Sequence, residues 1–132
     1  MPKTQLSSPD LRSPNGVFSQ ATVVEASGRL VFVSGMTARR PDGEIVGVGD
    51  IAAQTRQVCE NIRAALVAAG GTLEDVCRLD VYVRDIDDFA AIHEVRAQFF
   101  HEPLPASTMV EVSRLAHPDY LIEINAIAVL AA

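Results

Sequence analysis

Glu123 stands in the run from Leu121 to Leu130, where every second residue is strongly apolar and Ile127 and Val129 share its own side of an extended chain. A carboxylate among such neighbours needs a partner, and one paired with an arginine or a backbone amide would serve structure alone. Ser34-Gly35 ends an apolar run, and a glycine there lets the backbone approach a ligand closely or serves a bend. Arg39 and Arg40 follow it and offer an anion clamp, against the commoner role of solvated loop charges.

Other reactive residue types carry less. His93, His101 and His117 lack the i, i+4 pairing of helical zinc motifs, so no metal site is expected. Cys59 and Cys77 fall in a helix and a strand without an activating partner and read as small core residues. Gly47-Val48-Gly49 is half of a dinucleotide fingerprint, without the third glycine or an acidic partner, and is discarded. Eleven basic against seventeen acidic residues give a net charge of -6, which repels nucleic acid and anionic membranes. No apolar run approaches the ~20 residues that span a bilayer. Free cysteines and the lack of a basic-then-apolar leader fit the cytoplasm.

These groups need a scaffold, and 132 residues with 48% hydrophobic content suit one core. Residues 1–16 are rich in Pro, Ser, Asn and Gly and read as an irregular leader, which leaves 17–132 as a single domain. Val17 to Ala26 and Leu30 to Ser34, separated by Ser27-Gly28, read as a hairpin. Arg39 to Gly49 is a loop punctuated by Pro41-Asp42-Gly43. Ile51, Thr55, Val58, Ile62, Leu66 and Ala69 recur at helical spacing between an Asp50 cap and a Gly70-Gly71 stop. Val76 to Arg84 is a strand. Asp85 to Asp88 offer caps for a second helix with Phe89, Ile92, Val95 and Phe99 on one face, and Pro103 and Pro105 lie beyond its end. Two strands, roughly Ala106–Leu115 and Leu121–Leu130, follow around His117-Pro118-Asp119.

The order β-β-α-β-α-β-β implies an α+β sandwich with the helices on one sheet face. The last strand is apolar on one side and half-apolar on the other, so the face turned from the helices needs a cover, and a homo-oligomer is expected.

Several stretches resemble the Rid (YjgF-like) family: Gly16-Val17-Phe18-Ser19-Gln20-Ala21, Leu30 to Gly35, Gln54 through Gly70, Asp75-Val76 through Asp88-Phe89, and Pro105-Ala106 with Val110 to Leu115 and Ile122 to Ala128. They cover nearly all of residues 16 to 130 in the family's order. The resemblance implies a chorismate-mutase-like fold, a homotrimer whose sheets line a central barrel, clefts between subunits, and no metal or organic cofactor.

It also implies site residues. Glu123 matches the glutamate thought to position the attacking water. Phe18 stands where a tyrosine is frequent, His93 replaces an asparagine near the cleft, and Ser34, Gly35 and Met109 line it. The family's deaminases carry arginine in a P-A-R-S segment, whose planar fork grips the substrate carboxylate. Here the segment reads Pro105-Ala106-Ser107-Thr108, so charge-assisted binding at that place is expected to be lost, and fast turnover of 2-iminopropionate with it.

The leading reading is therefore a divergent enzyme that hydrolyses a reactive imine or enamine to a carbonyl compound and ammonia. Ser34 to Gly43 with His117-Pro118 also resembles 2-aminomuconate deaminases, a branch acting on a dicarboxylate enamine. A protein that binds a small metabolite without chemistry is the alternative of a different class. Some relatives are described as ribonucleases and translation inhibitors, against which this chain sets an acidic surface with no basic, aromatic-interleaved stripe.

Overall fold

The computed structural model describes residues 3–14, 16–25 and 27–131. Its strands are β1 (Lys3–Leu6), β2 (Ala21–Val24), β3 (Arg29–Met36), β4 (Val76–Val83), β5 (Ala106–Glu111) and β6 (Ile122–Leu130), with helices α1 (Ile51–Ala68) and α2 (Phe89–Phe99). Helix α1 starts where the Asp50 carboxylate accepts from the Ala53 amide at 3.1 Å. It closes with the Gly70 and Gly71 amides donating to the Val67 and Leu66 carbonyls, the paired bonding that ends a helix at a glycine.

The main sheet has the order β3-β6-β4-β5, with β6 antiparallel to both neighbours and β4 parallel to β5. Alternation along the strands divides it into two faces. Ile122, Ile124, Ala126 and Ala128 of β6 and Leu79, Val81 and Val83 of β4 are buried with Val58, Ile62 and Leu66 of α1 in one core. Glu123, Asn125 and Ile127 of β6 turn the other way, beside Asp80 and Tyr82 of β4. On that second face Phe32 is 72% and Leu30 57% exposed, which is the uncovered apolar surface that the sequence pattern implies.

Two strand assignments differ from expectation. The segments around Ser27-Gly28 do not form a hairpin: β2 pairs with β1, and β3 pairs with β6. Pairing with the long central strand carries Val33 of β3 into the core, a larger gain than the short and half-exposed β2 offers. The strand β1 itself lies in the segment expected to be irregular, tied down by the Lys3 ammonium donating to the Val76 carbonyl and by Thr22 of its partner donating to the Cys77 carbonyl. Pro2, Asn15 and Ala26, counted in those segments, lie outside the described residues. The second difference is at the C-terminal end, where β5 stops at Glu111 and is separated from β6 by β4.

Candidate functional site

A cavity of about 190 Å³ opens between α2 and the helix-side face of the edge strand β5, lined by Phe18, Phe89, His93, Arg96, Ser107 and Met109. Four of these were expected at a site from the sequence. Each is set by its element. Ser107 and Met109 pair with Leu79 and Val81 of β4, whose side chains point to the core, so both face the helices. Phe18 is delivered by the chain after Gly16, because the Ser19 amide donates to the Pro105 carbonyl at 2.9 Å and Ser19 bridges Ala106 as an extra partner for the edge of β5. Gly16 makes the approach possible, since a Cβ there would lie 1.9 Å from Nε2 of His93. Larger open hollows, of about 510 Å³ by Lys3 and Glu102 and about 340 Å³ by Arg63 and His101, hold none of the expected site residues.

Arg96 is the residue that sequence reasoning missed. It is 1% exposed, and its Nη2 donates to Oγ of Ser107 at 2.9 Å and to the Val17 carbonyl at 3.3 Å. Ser107 is itself neutral, and a guanidinium reaching across from α2 stands beside it. Burial lowers the Arg96 pKa to about 10, so the group stays charged at neutral pH. Among the described residues no carboxylate forms a salt bridge with it, and its Nε has no acceptor. The signal was present in the sequence: Arg96 lies seven residues after Phe89, four after Ile92 and three before Phe99, a charge on the buried stripe of a helix.

His93 stacks on Phe89 with ring centroids 4.0 Å apart, and both ring nitrogens are buried without a hydrogen-bond partner. Burial lowers its pKa below the usual histidine value and the neighbouring Arg96 charge adds to this. The Phe89 backbone opposes the shift less strongly and does not reach hydrogen-bond geometry with the ring. The imidazole is therefore neutral at pH 7.

Glu123, Ser34 and Gly35 form a separate group. Between Val33 and Met36 the β3–β6 register slips, so Ser34-Gly35 sit in a bulge at the strand end. A Cβ on Gly35 would fall 2.1 Å from Oε2 of Glu123, so the missing side chain is the space the carboxylate occupies. Glu123 is half-buried and enters no salt bridge among the described residues. It pairs with Tyr82 on the sheet face away from α1 and α2, whereas Ser107 is on the helix side. One chain alone does not bring the two groups together.

The remaining candidates have other roles. Arg39 donates to the Tyr120 hydroxyl and to the Gly43 carbonyl, and Arg40 pairs with Glu44 at 2.9 Å, so neither lines the cavity. His117 accepts from the Asp119 amide within its turn. Cys59 is fully buried against α2, which pushes its thiol up to about 12 and leaves it unreactive, and the Cys77 thiol is likewise raised by burial. No described helix is long and apolar enough to cross a membrane.

Comparison with known proteins agrees with this architecture. The family described as Endoribonuclease L-PSP matches residues 10–130. A RutC family protein of Pyrococcus horikoshii is 51% identical over 116 residues, 87% of this chain and 88% of its own. The 3-aminoacrylate deaminase RutC of Acinetobacter baylyi is 44% identical over 99 residues, 75% of this chain and 78% of its own. The crystal structure of YyfB, a conserved Rid family protein from Yersinia pestis, superimposes with a TM-score of 0.88 at 36% identity, covering 98% of this chain and 100% of that one. The fold and the site thus define a protein of the α+β, chorismate-mutase-like class. Within it, the chain belongs to the Endoribonuclease L-PSP family, that of the Rid (YjgF-like) proteins.

Proposed function

We propose that the protein hydrolyses a reactive imine or enamine to a carbonyl compound and ammonia, with Glu123 positioning the water. The observation that carries this reading is the Glu123 carboxylate, held in the space over Gly35 with no salt-bridge partner among the described residues. Water adds to the imine carbon, the resulting carbinolamine loses its C–N bond, and the nitrogen leaves as ammonia after taking up a proton. An enamine enters the same route after tautomerising to the imine. A carboxylate suits both proton transfers, first accepting from water and then returning the proton to nitrogen. Kinship with a 3-aminoacrylate deaminase supports the reaction class.

The chain acts as a homotrimer in this reading. The uncovered face of Leu30 and Phe32 turns inward, and a cleft between neighbours joins Glu123 of one copy to the Ser107 cavity of the next. The separation of these groups within one chain supports that arrangement.

The test generates 2-iminopropionate and a panel of other imines with an amino-acid oxidase, with semicarbazide as trap, and follows ammonia release. The protein should outpace the spontaneous reaction, and Glu123→Gln should lose about a hundredfold or more in kcat. No acceleration of any imine by the wild type, with a small metabolite still raising its melting temperature, would replace the enzyme by a binding protein.

A further inference from the structure

We propose that Arg39 and Tyr120 form a latch that holds the Gly35 bulge against Glu123, and that both are positioning residues for the water Glu123 handles. The proposal rests on the deaminase reading above and adds the device that sets the geometry of its site.

The sheet alone does not hold Gly35 and Glu123 together. Pairing between β3 and β6 is regular from Arg29 to Val33, breaks at Ser34-Gly35 and resumes at Met36 with Ile124. A bulge disrupts the ladder and lets the strand bend, so the spacing of Gly35 from Glu123 is not fixed by strand hydrogen bonds. Yet the fit is close, since the carboxylate fills the space that a Cβ on Gly35 would take.

Helix α1 seats each strand end separately. The Asn61 side-chain amide donates to the Thr37 and Arg39 carbonyls at 2.9 and 2.8 Å, just past the bulge. Gln54, fully buried, donates to the Asp119 carbonyl at 2.8 Å and accepts from the Leu121 amide at 2.9 Å, just before Glu123. These bonds leave the two segments unlinked to each other. The link is Arg39, whose Nε donates to the Tyr120 hydroxyl and whose guanidinium lies 5.3 Å from the centre of the Tyr120 ring. Among the described residues this is the only hydrogen bond between residues 37–49 and 112–121.

The surroundings favour a fixed contact. Tyr120 is 7% exposed, with the His117 ring 5.4 Å away, and a second arm of Arg39 donates to the Gly43 carbonyl. No carboxylate forms a salt bridge with Arg39 among the described residues, so no ion pair draws the guanidinium off the tyrosine. A charged donor makes a stronger bond to a hydroxyl than a neutral one, and the planar fork fixes direction as well as distance.

The experiment compares wild type, Tyr120→Phe, Glu123→Gln and the double variant in imine turnover, the slow variants at raised protein concentration. Tyr120→Phe removes the hydroxyl and keeps the ring. It should lower kcat at least about fivefold while KM changes less than about twofold. In the Glu123→Gln background the same change should have no further effect on kcat, because the latch acts through the carboxylate. A merely structural role lowers turnover by the same factor in both backgrounds, and that result overturns the proposal, as does full kcat in Tyr120→Phe. Should Tyr120→Phe fail to fold, Arg39→Met, which leaves the tyrosine in place, is put through the same comparison and decides in its stead. A crystal structure of the latch variant separates this proposal from the reading it rests on. The carboxylate should have left the space over Gly35, and one still seated there removes the latch whether or not any imine is turned over. A displaced carboxylate, in a protein whose wild type accelerates no imine, removes the deaminase reading only.

Discussion

Glu123 and Ser107 lie on opposite faces of the main sheet, with β4 between the strands that carry them. A reaction that needs both therefore takes them from different copies, and mixing variants tests this directly. Glu123→Gln and Arg96→Gln chains, each first shown to have lost turnover alone, are co-expressed with different tags and the mixed assemblies purified. In the proposed trimer every assembly that contains both chains has one cleft of three that combines an intact Glu123 with an intact Arg96, so about a third of wild-type activity should return. Mixed assemblies with no activity above the parent variants place the site within one chain or remove one of the residues from it.

Gly35 makes a second test of where the carboxylate stands. An alanine methyl there would meet Oε2, Cδ and Cγ of Glu123 at 2.1, 2.8 and 3.1 Å, so the whole side chain has to rotate away. Gly35 has no left-handed φ, and the backbone accepts alanine without strain. Gly35→Ala should thus lower kcat by a factor of ten or more while shifting the melting temperature by only a few degrees. Full activity in the folded variant would show that the position of Glu123 is immaterial to turnover.

The sequence made α1 legible to its last turn because its signals are local: an aspartate cap, a repeat of buried residues and a paired-glycine stop. Strand β6 was equally plain, since its alternation separates a core face from a second face. Pairing was not legible. Nothing in Ala21–Val24 or Arg29–Met36 specifies that the first joins Lys3–Leu6 and the second crosses to β6, because those choices depend on what each strand buries after the chain has closed on itself. The site divided in the same way. Phe18, His93, Ser107 and Met109 came from resemblance and do share a cavity, but Arg96 has no counterpart in that pattern and was visible only as a charge on the buried stripe of α2. Treating that arginine as an anomaly to be explained would have found it.

The core offers a prediction independent of function. Ile62 is fully buried at the middle of α1, packed among residues of both helices and the sheet. Ile62→Ala removes three carbons from a site whose rigid neighbours close in only partly, and should cost about 2–5 kcal/mol in urea unfolding. A loss below about 1 kcal/mol would mean that α1 does not pack on the sheet as described.

His93 sets the pH dependence of stability at the cavity. Its pKa is lowered in the folded protein by burial and then by Arg96, while the unfolded chain keeps the ordinary value of 6.5. Above pH 6.5 both states are neutral and the residue contributes no slope. As the pH falls below 6.5 the unfolded chain binds the proton first, so stability declines until the folded pKa is passed and both states carry the charge. Of the other cavity-lining residues only Arg96 carries a charge, and it repels the imidazolium, so no neighbour there compensates. His93→Asn removes this titration and leaves His101, His117 and the carboxylates in place, so the difference in unfolding free energy between pH 7 and pH 5 should be smaller in the variant. Urea titrations across that range check it. Parallel curves for the two proteins would mean that His93 is as easily protonated in the fold as outside it, and would place the ring in water.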